Sequence, residues 1–350
     1  MSSSVLSSRR AMPRRPVWML GGLILMVALI VLVSLGVGAV PIAPRQVSAI
    51  LSKALAGVDN GDFATNVVLL VRLPRVILGL AVGAVLALSG AVMQGLFRNP
   101  LADPALIGIS AGAALGAVAA IVLDWHRFGP ATVSLAAFAG GLGATRLVQF
   151  FASITRPGDT AGLLLAGIAV NALGGAVTGL FTYLADDQQL RALTFWSMGS
   201  LGGVTWTQLR VGLPLLLAVV ILLPCWSKAL NALLLGEAEA GHLGFAVQRL
   251  RRTLVALVAL GVGAAVALTG IIGFIGLVAP HLVRLWLGPD HRSLLPGAAL
   301  TGAALLLLAD LGARTLEAPA ELPIGILTGL LGGPFFLWLL YRSGRGRMEC

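Results

Sequence analysis

The chain has 350 residues, 58% of them hydrophobic and 11% charged, with a mean hydropathy of +0.96. This composition excludes a water-soluble globule and predicts an all-α, polytopic membrane protein. The formal charge of +10 does not point to nucleic acid, because the basic residues sit in short clusters between apolar runs, as membrane topology requires.

Residues 1–16, with Arg9, Arg10, Arg14 and Arg15, read as a disordered basic N-terminus ahead of an apolar run at 17–40. That run lacks a small-residue cleavage site and is longer than a signal-peptide core, so it predicts a retained first span. Further apolar runs at 73–96, 105–123, 131–153, 161–184, 208–227, 251–270, 274–287, 294–314 and 323–341 complete about ten predicted spans. The run at 274–287 is too short to cross about 30 Å of hydrocarbon upright and is expected to span only partly or to sit inside the bundle. A short surface helix is expected near 190–200. Together these segments make one transmembrane domain over 17–341, with a tail at 342–350.

Ten crossings put both termini on one side, and sixteen of the 24 basic residues then share that side, against eight on the other. The positive-inside bias makes the shared side cytoplasmic.

The stretch 69–114 is the most structured part of the chain. Arg72-Leu73-Pro74-Arg75 opens a helix in which Gly79, Gly83, Ala87 and Gly90 recur every three or four residues, spacing that lets a neighbouring helix approach closely. The segment Arg98-Asn99-Pro100-Leu101-Ala102-Asp103-Pro104 breaks that helix and is expected at a membrane face or against protein. Ala87-Leu88-Ser89-Gly90 in the second span is echoed by Ala267-Leu268-Thr269-Gly270 in the seventh. Spans five apart run in opposite directions, so a duplicated unit would be an inverted repeat.

Catalytic and metal chemistry leave little trace. The histidines, His126, His242, His281 and His291, lie in separate segments, and Cys225 and Cys350 have no metal-site spacing. His281 reads as structural, and His126 as a loop residue. The two lysines, Lys53 and Lys228, complete no phosphate-binding loop of the form G-x-x-x-x-G-K-[ST], so ATP, if it is used, is hydrolysed on another subunit. Asp310 is the one candidate intramembrane carboxylate for ion coupling, and Arg314 four residues on makes a local ion pair the simpler account. Met93, Met198 and Trp196 fit either a bulky apolar pathway or ordinary helix packing.

The ordered set of motifs resembles the FecCD family, permease subunits of type II ABC importers for haem, iron-siderophores and cobalamin. The carrying residues are Arg72-Leu73-Pro74-Arg75, Ser89-Gly90-Ala91-Val92-Met93-Gln94, Asn99-Pro100-Leu101-Ala102-Asp103-Pro104, Gly273-Phe274-Ile275-Gly276-Leu277-Val278-Ala279-Pro280-His281 and Glu321-Leu322-Pro323-Ile324-Gly325. The resemblance implies a homodimer in the bacterial inner membrane, two ATP-binding subunits that carry ATP and Mg, a periplasmic substrate-binding protein, and no cofactor in this chain. It places the coupling to the ATPase subunit in the segment 230–246, at Leu235, Gly236, Glu237, Glu239, Leu243 and Gly244. Docking of the binding protein falls to Arg72, Arg75 and Arg314, expected at helix ends within reach of water, and a cytoplasmic gate falls near Thr160. The expected cargo is haem or another iron complex, with ferric siderophore or cobalamin as alternatives by the same mechanism. An ion-coupled secondary transporter and a membrane-embedded enzyme are the readings from other classes.

Overall fold

The computed structural model describes residues 14–57, 61–155 and 160–348, all of it helices and their connections. Arg9, Arg10, Arg156 and Cys350 lie outside the described residues. Helix α1 spans Arg14–Gly36 and α2 spans Pro44–Leu55. A short helix α3 at Phe63–Asn66 passes through one π-helical stretch, Val67–Arg72, into α4 at Leu73–Phe97. There follow α5 (Ile109–Val122), α6 (Thr132–Thr155), α7 (Thr160–Leu184), α8 (Asp187–Met198) and α9 (Trp206–Leu222). The chain closes with α10 (Ser227–Leu234), α11 (Glu237–His242), α12 (Val247–Thr269), α13 (Ile275–Leu287), α14 (His291–Thr315) and α15 (Ile324–Met348).

Among the described residues seven helical stretches are long and apolar enough to cross a membrane, and three shorter apolar helices, α5, α13 and the apolar part of α15, join them. Each of the ten predicted spans coincides with one of these. At 13 residues α13 is about 20 Å long, less than the hydrocarbon thickness, as expected for the run at 274–287. The helix expected near 190–200 is α8, whose Asp186 N-cap accepts the Gln189 N–H at 2.8 Å. The amphipathic α2 is the addition: it buries Val47 and Ile50 and leaves its polar face outward.

At the centre lies α4, buried on every side, because its small residues allow helices on all faces. A Cβ on Gly83 would come within 2.4 Å of the Gly302 carbonyl oxygen of α14, and one on Gly90 within 1.8 Å of the Gly276 oxygen of α13. Backbones this close bury area that side chains would hold apart. The closest helix pairs repeat with an offset of five spans. The second packs on the ninth (α4 on α14) as the seventh packs on the fourth (α12 on α6), and α5 on α6 is matched by α13 on α14. Packing of this kind supports the inverted repeat suggested by the Ala-Leu-Ser-Gly echo.

The break after α4 is held locally. Arg98 takes a left-handed conformation (φ 48°) as its C-cap, and Asn99 Oδ1 accepts the Leu101 N–H at 2.9 Å. Asp103 Oδ1 accepts the Ala105 N–H at 2.8 Å, while burial pushes this carboxyl above its ordinary range. Together with the Ala102 N–H donated to the Asn99 carbonyl at 3.1 Å, these bonds satisfy donors that the break takes out of the helix.

Candidate functional site: a buried ion-pair hub and an exposed helical turn

Two groups of predicted residues come together, at opposite ends of α4. Arg72 and Arg75 enter from the start of that helix, and Asp310 and Arg314 from the last turns of α14. The two helices pack along their length, so these four side chains meet. Arg75 Nε donates to Asp310 Oδ1 at 2.8 Å, and its terminal nitrogen donates to both oxygens of Glu321 at 2.7 and 2.9 Å. Arg314 Nε lies 3.1 Å from Asp310 Oδ2, an ionic contact whose angle is too poor for a hydrogen bond.

The remaining guanidinium donors reach back to the end of α1. Arg72 donates to the carbonyls of Leu35 (2.8 Å) and Val40, and Arg314 to those of Ser34 (3.1 Å) and Val37 (3.2 Å). The last carbonyls of a helix lack partners within it and carry partial negative charge, so cations there are doubly favoured. Three cations are thus balanced by two carboxylates and the carbonyls of one helix end.

The expectation that these arginines reach water is corrected by their burial. Arg72, Arg75 and Arg314 are 5%, 5% and 6% exposed, and Asp310 is fully buried. A guanidinium inside protein is tolerable only when its charge and donors are met, and here carbonyls and carboxylates of neighbouring elements meet most of them, with Arg314 Nε left to its ionic contact with Asp310. The local Asp310–Arg314 pair is present, with Arg75 as a third member. Glu321, whose side chain is 46% exposed, is the hub's way out to solvent. Glu321 belongs to the motif Glu321-Leu322-Pro323-Ile324-Gly325, but no spacing rule links it to Arg75, 246 positions away.

At the other end of the bundle, α10 and α11 form the turn that follows the sixth span. α10 buries Ala229, Leu230, Ala232 and Leu233 and turns its one remaining apolar residue, Leu234, outward. Leu235 is 69% and Leu243 59% exposed, with Leu234 exposed beside them. Gly236 (φ 122°) and Gly244 (φ 88°) bracket α11 in backbone conformations that side chains rarely adopt, which fixes the sharp entry and exit. Glu239 is exposed, whereas Glu237 pairs with Arg251 of α12 and ties the turn to the seventh span. All six residues of the predicted coupling segment therefore share one protruding element.

That end carries a second polar network. Asn231 donates to Asp290 Oδ1 at 2.7 Å and accepts the His291 N–H at 2.9 Å, fastening α10 to the start of α14. Burial raises the Asp290 carboxyl pKa, but the Arg292 N–H, the Asn231 amide and the Arg292 charge more than offset it and hold the group below its ordinary value. Arg284 donates to Gln94 at 2.9 Å between α13 and α4. Thr160 begins α7. His281 stacks edge-on against Phe335 at 5.7 Å, a packing role. Among the described residues no three His, Cys, Asp or Glu side chains gather as a metal site. Met93 is sealed in the core.

The chain is similar to known proteins over nearly its whole length. The sequence model of the FecCD transport family matches residues 24–342. The hemin transport system permease protein HmuU of Yersinia pestis is 48% identical over 338 residues, covering 95% of this chain and 98% of its own. A cobalamin import permease, BtuC of Halobacterium salinarum, is 47% identical over 77% of this chain and 72% of its own, and a vitamin B12 import permease BtuC of Escherichia coli is 47% identical over 79% and 83%. A solved structure described as an inward-facing metal-chelate type ABC transporter superposes with a TM-score of 0.82 at 36% identity, over 93% of this chain and 99% of its own. With its fold and nearly its whole length matched, the chain belongs to the FecCD transport family.

Proposed function

We propose that this chain is the membrane subunit of an ATP-driven importer that carries haem, or another iron complex, from periplasm to cytoplasm across the bacterial inner membrane. It works as a homodimer with two ATP-binding subunits and a periplasmic binding protein. The observation that carries the reading is the turn α10–α11, which presents Leu235 and Leu243 beyond the spans while Glu237 anchors it to α12. Exposed leucines on short helices outside the apolar spans need a protein partner, and the family relation supplies the ATPase subunit as that partner. ATP and Mg belong to that subunit; this chain stabilises two packings and forms no covalent bond.

The homodimer is supported by the outward apolar faces of α7 (Leu165, Leu173) and α15 (Leu330, Leu337), the surfaces left for lipid or for a second copy. The basic-residue bias supports cytoplasmic termini, which puts the α10–α11 turn in the cytoplasm and the Arg75–Asp310 hub at the outer face. Binding-protein docking at that face is carried by the surface the hub supports, with Glu321 as its exposed charge and Arg72, Arg75 and Arg314 beneath. Haem is placed first because the haem permease matches the chain almost end to end, whereas the cobalamin permeases match a smaller part.

The test is reconstitution of the full complex in liposomes with binding protein loaded with haem, ferric siderophore or cobalamin. Haem-loaded protein is expected to stimulate ATP hydrolysis and uptake most strongly. The permease alone is expected to accumulate nothing without nucleotide; uptake by the isolated chain against a gradient would replace this reading with ion-coupled transport.

A further inference from the structure

At the end of the bundle that carries α10 and α11, a cavity of about 250 Å³ opens between α6 and α12. Arg146, Gln149 and Ser153 line it from α6, and Gln248, Arg251 and Arg252 from α12. Three guanidinium groups and two amides face one space, and no carboxylate is among the described residues that line it. Arg251 is already bonded to Glu237 of α11, so the wall of the cavity is continuous with the anchored turn. Arg146 and Arg252 are both exposed.

The outer surface beside this cavity is apolar. Leu147, Phe151 and Ile154, interleaved with Arg146, Gln149 and Ser153 on the last turns of α6, are all exposed, and the exposed Phe150 lines the cavity itself. α6 is one of the helices long and apolar enough to cross a membrane, so these side chains meet acyl chains while the cavity sits at the boundary with water. A ligand that satisfies both surfaces is amphipathic, with an anionic head and hydrocarbon tails. Basic pockets between helices at a membrane face select such heads.

We propose that the α6–α12 cavity is a binding site for an anionic phospholipid, its phosphate held by Arg146 and Arg252 beside Arg251 and its tails lying along Leu147, Phe151 and Ile154. Because Arg251 joins the cavity wall to Glu237, a bound headgroup braces the α11 turn against α12 and so tunes the element assigned to the ATPase contact. That last step rests on the proposed role of α10–α11; lipid binding does not.

The experiment is native mass spectrometry of the full chain purified in detergent and titrated with phosphatidylglycerol or phosphatidylcholine. The wild type is expected to retain phosphatidylglycerol at about tenfold lower concentration than phosphatidylcholine, a comparison that needs no variant. The double variant Arg146→Gln/Arg252→Gln is expected to lose that preference, while Arg249→Gln, which removes one charge from α12 outside the cavity, keeps it. Equal retention of the two lipids by the wild type, or an undiminished preference in the double variant, overturns the site. Displacement of phosphatidylglycerol by an equal concentration of inorganic phosphate also overturns it, in favour of a free anion. If the double variant keeps its lipid but no longer assembles with the ATPase subunit, the cavity is a protein contact and the proposal fails.

Discussion

Asp310 stands between two guanidinium groups in a fully buried position, 2.8 Å from Arg75 and 3.1 Å from Arg314. Its removal leaves two cations facing each other without water. Asp310→Asn is therefore expected to destabilise the folded chain by roughly 3–5 kcal/mol, the usual penalty for breaking a buried ion pair, read as a lowered unfolding midpoint in detergent. A midpoint unchanged from wild type would mean that Glu321 for Arg75 and the α1 carbonyls for Arg314 carry the two charges without it. Glu321 differs because its carboxylate is half in solvent and Arg75 keeps Asp310 without it. If an incoming carboxylate of the binding protein takes the place of Glu321 on Arg75, Glu321→Gln should tighten docking several-fold at low salt, and less at high salt, with little change in stability. Weaker docking in that variant would show that Glu321 itself is the contact. The arginines and Asp310 were legible in the sequence as a group of charges at helix ends. Their burial was not, because sequence distance says nothing about which carbonyls lie within reach.

Among elements, α4 is the clearest case of a pattern that foretells its packing. Gly83 and Gly90, read as small positions for close approach, meet the backbones of Gly302 and Gly276. Gly90→Ala would set a methyl 1.8 Å from a carbonyl oxygen and is expected to destabilise by more than the usual 1–3 kcal/mol of an overpacked core, whereas Gly179→Ala, with nothing within 4 Å, should be silent. A thermal-shift comparison of the two detects the difference, and equal midpoints would refute the close α4–α13 approach. The α10–α11 turn was legible through the family resemblance, which singled out the segment 230–246. The Arg251 partner of Glu237 was not, and it changes which mutation is informative. Reversing both glutamates breaks an internal pair as well as the surface, while Glu239→Lys alters only an exposed charge. In the reconstituted complex that single variant is expected to weaken binding-protein-stimulated ATP hydrolysis by several-fold and leave insertion intact; full stimulation would remove Glu239 from the contact. α2 escaped the sequence reading because its 12 residues hold too few apolar positions to register as a span, and its burial comes from α1.

For the whole molecule, ten apolar runs were enough to give the class and the position of each long or short apolar helix, since lipid permits so few alternatives. What the sequence left open was the order in which those helices pack, because hydrophobic runs attract one another without preference. The packing that repeats after five spans shows the order chosen, and glycine contacts and buried charges enforce it. One consequence concerns biosynthesis. The bonds from Arg314 to Ser34 and Val37 join residues 280 and 277 positions apart. A ribosome releases those acceptors early and their donor near the end, so Arg72 alone clasps the terminus of the opening helix until the ninth crossing arrives. Chains that stop before that crossing keep only the Arg72 half of the clasp.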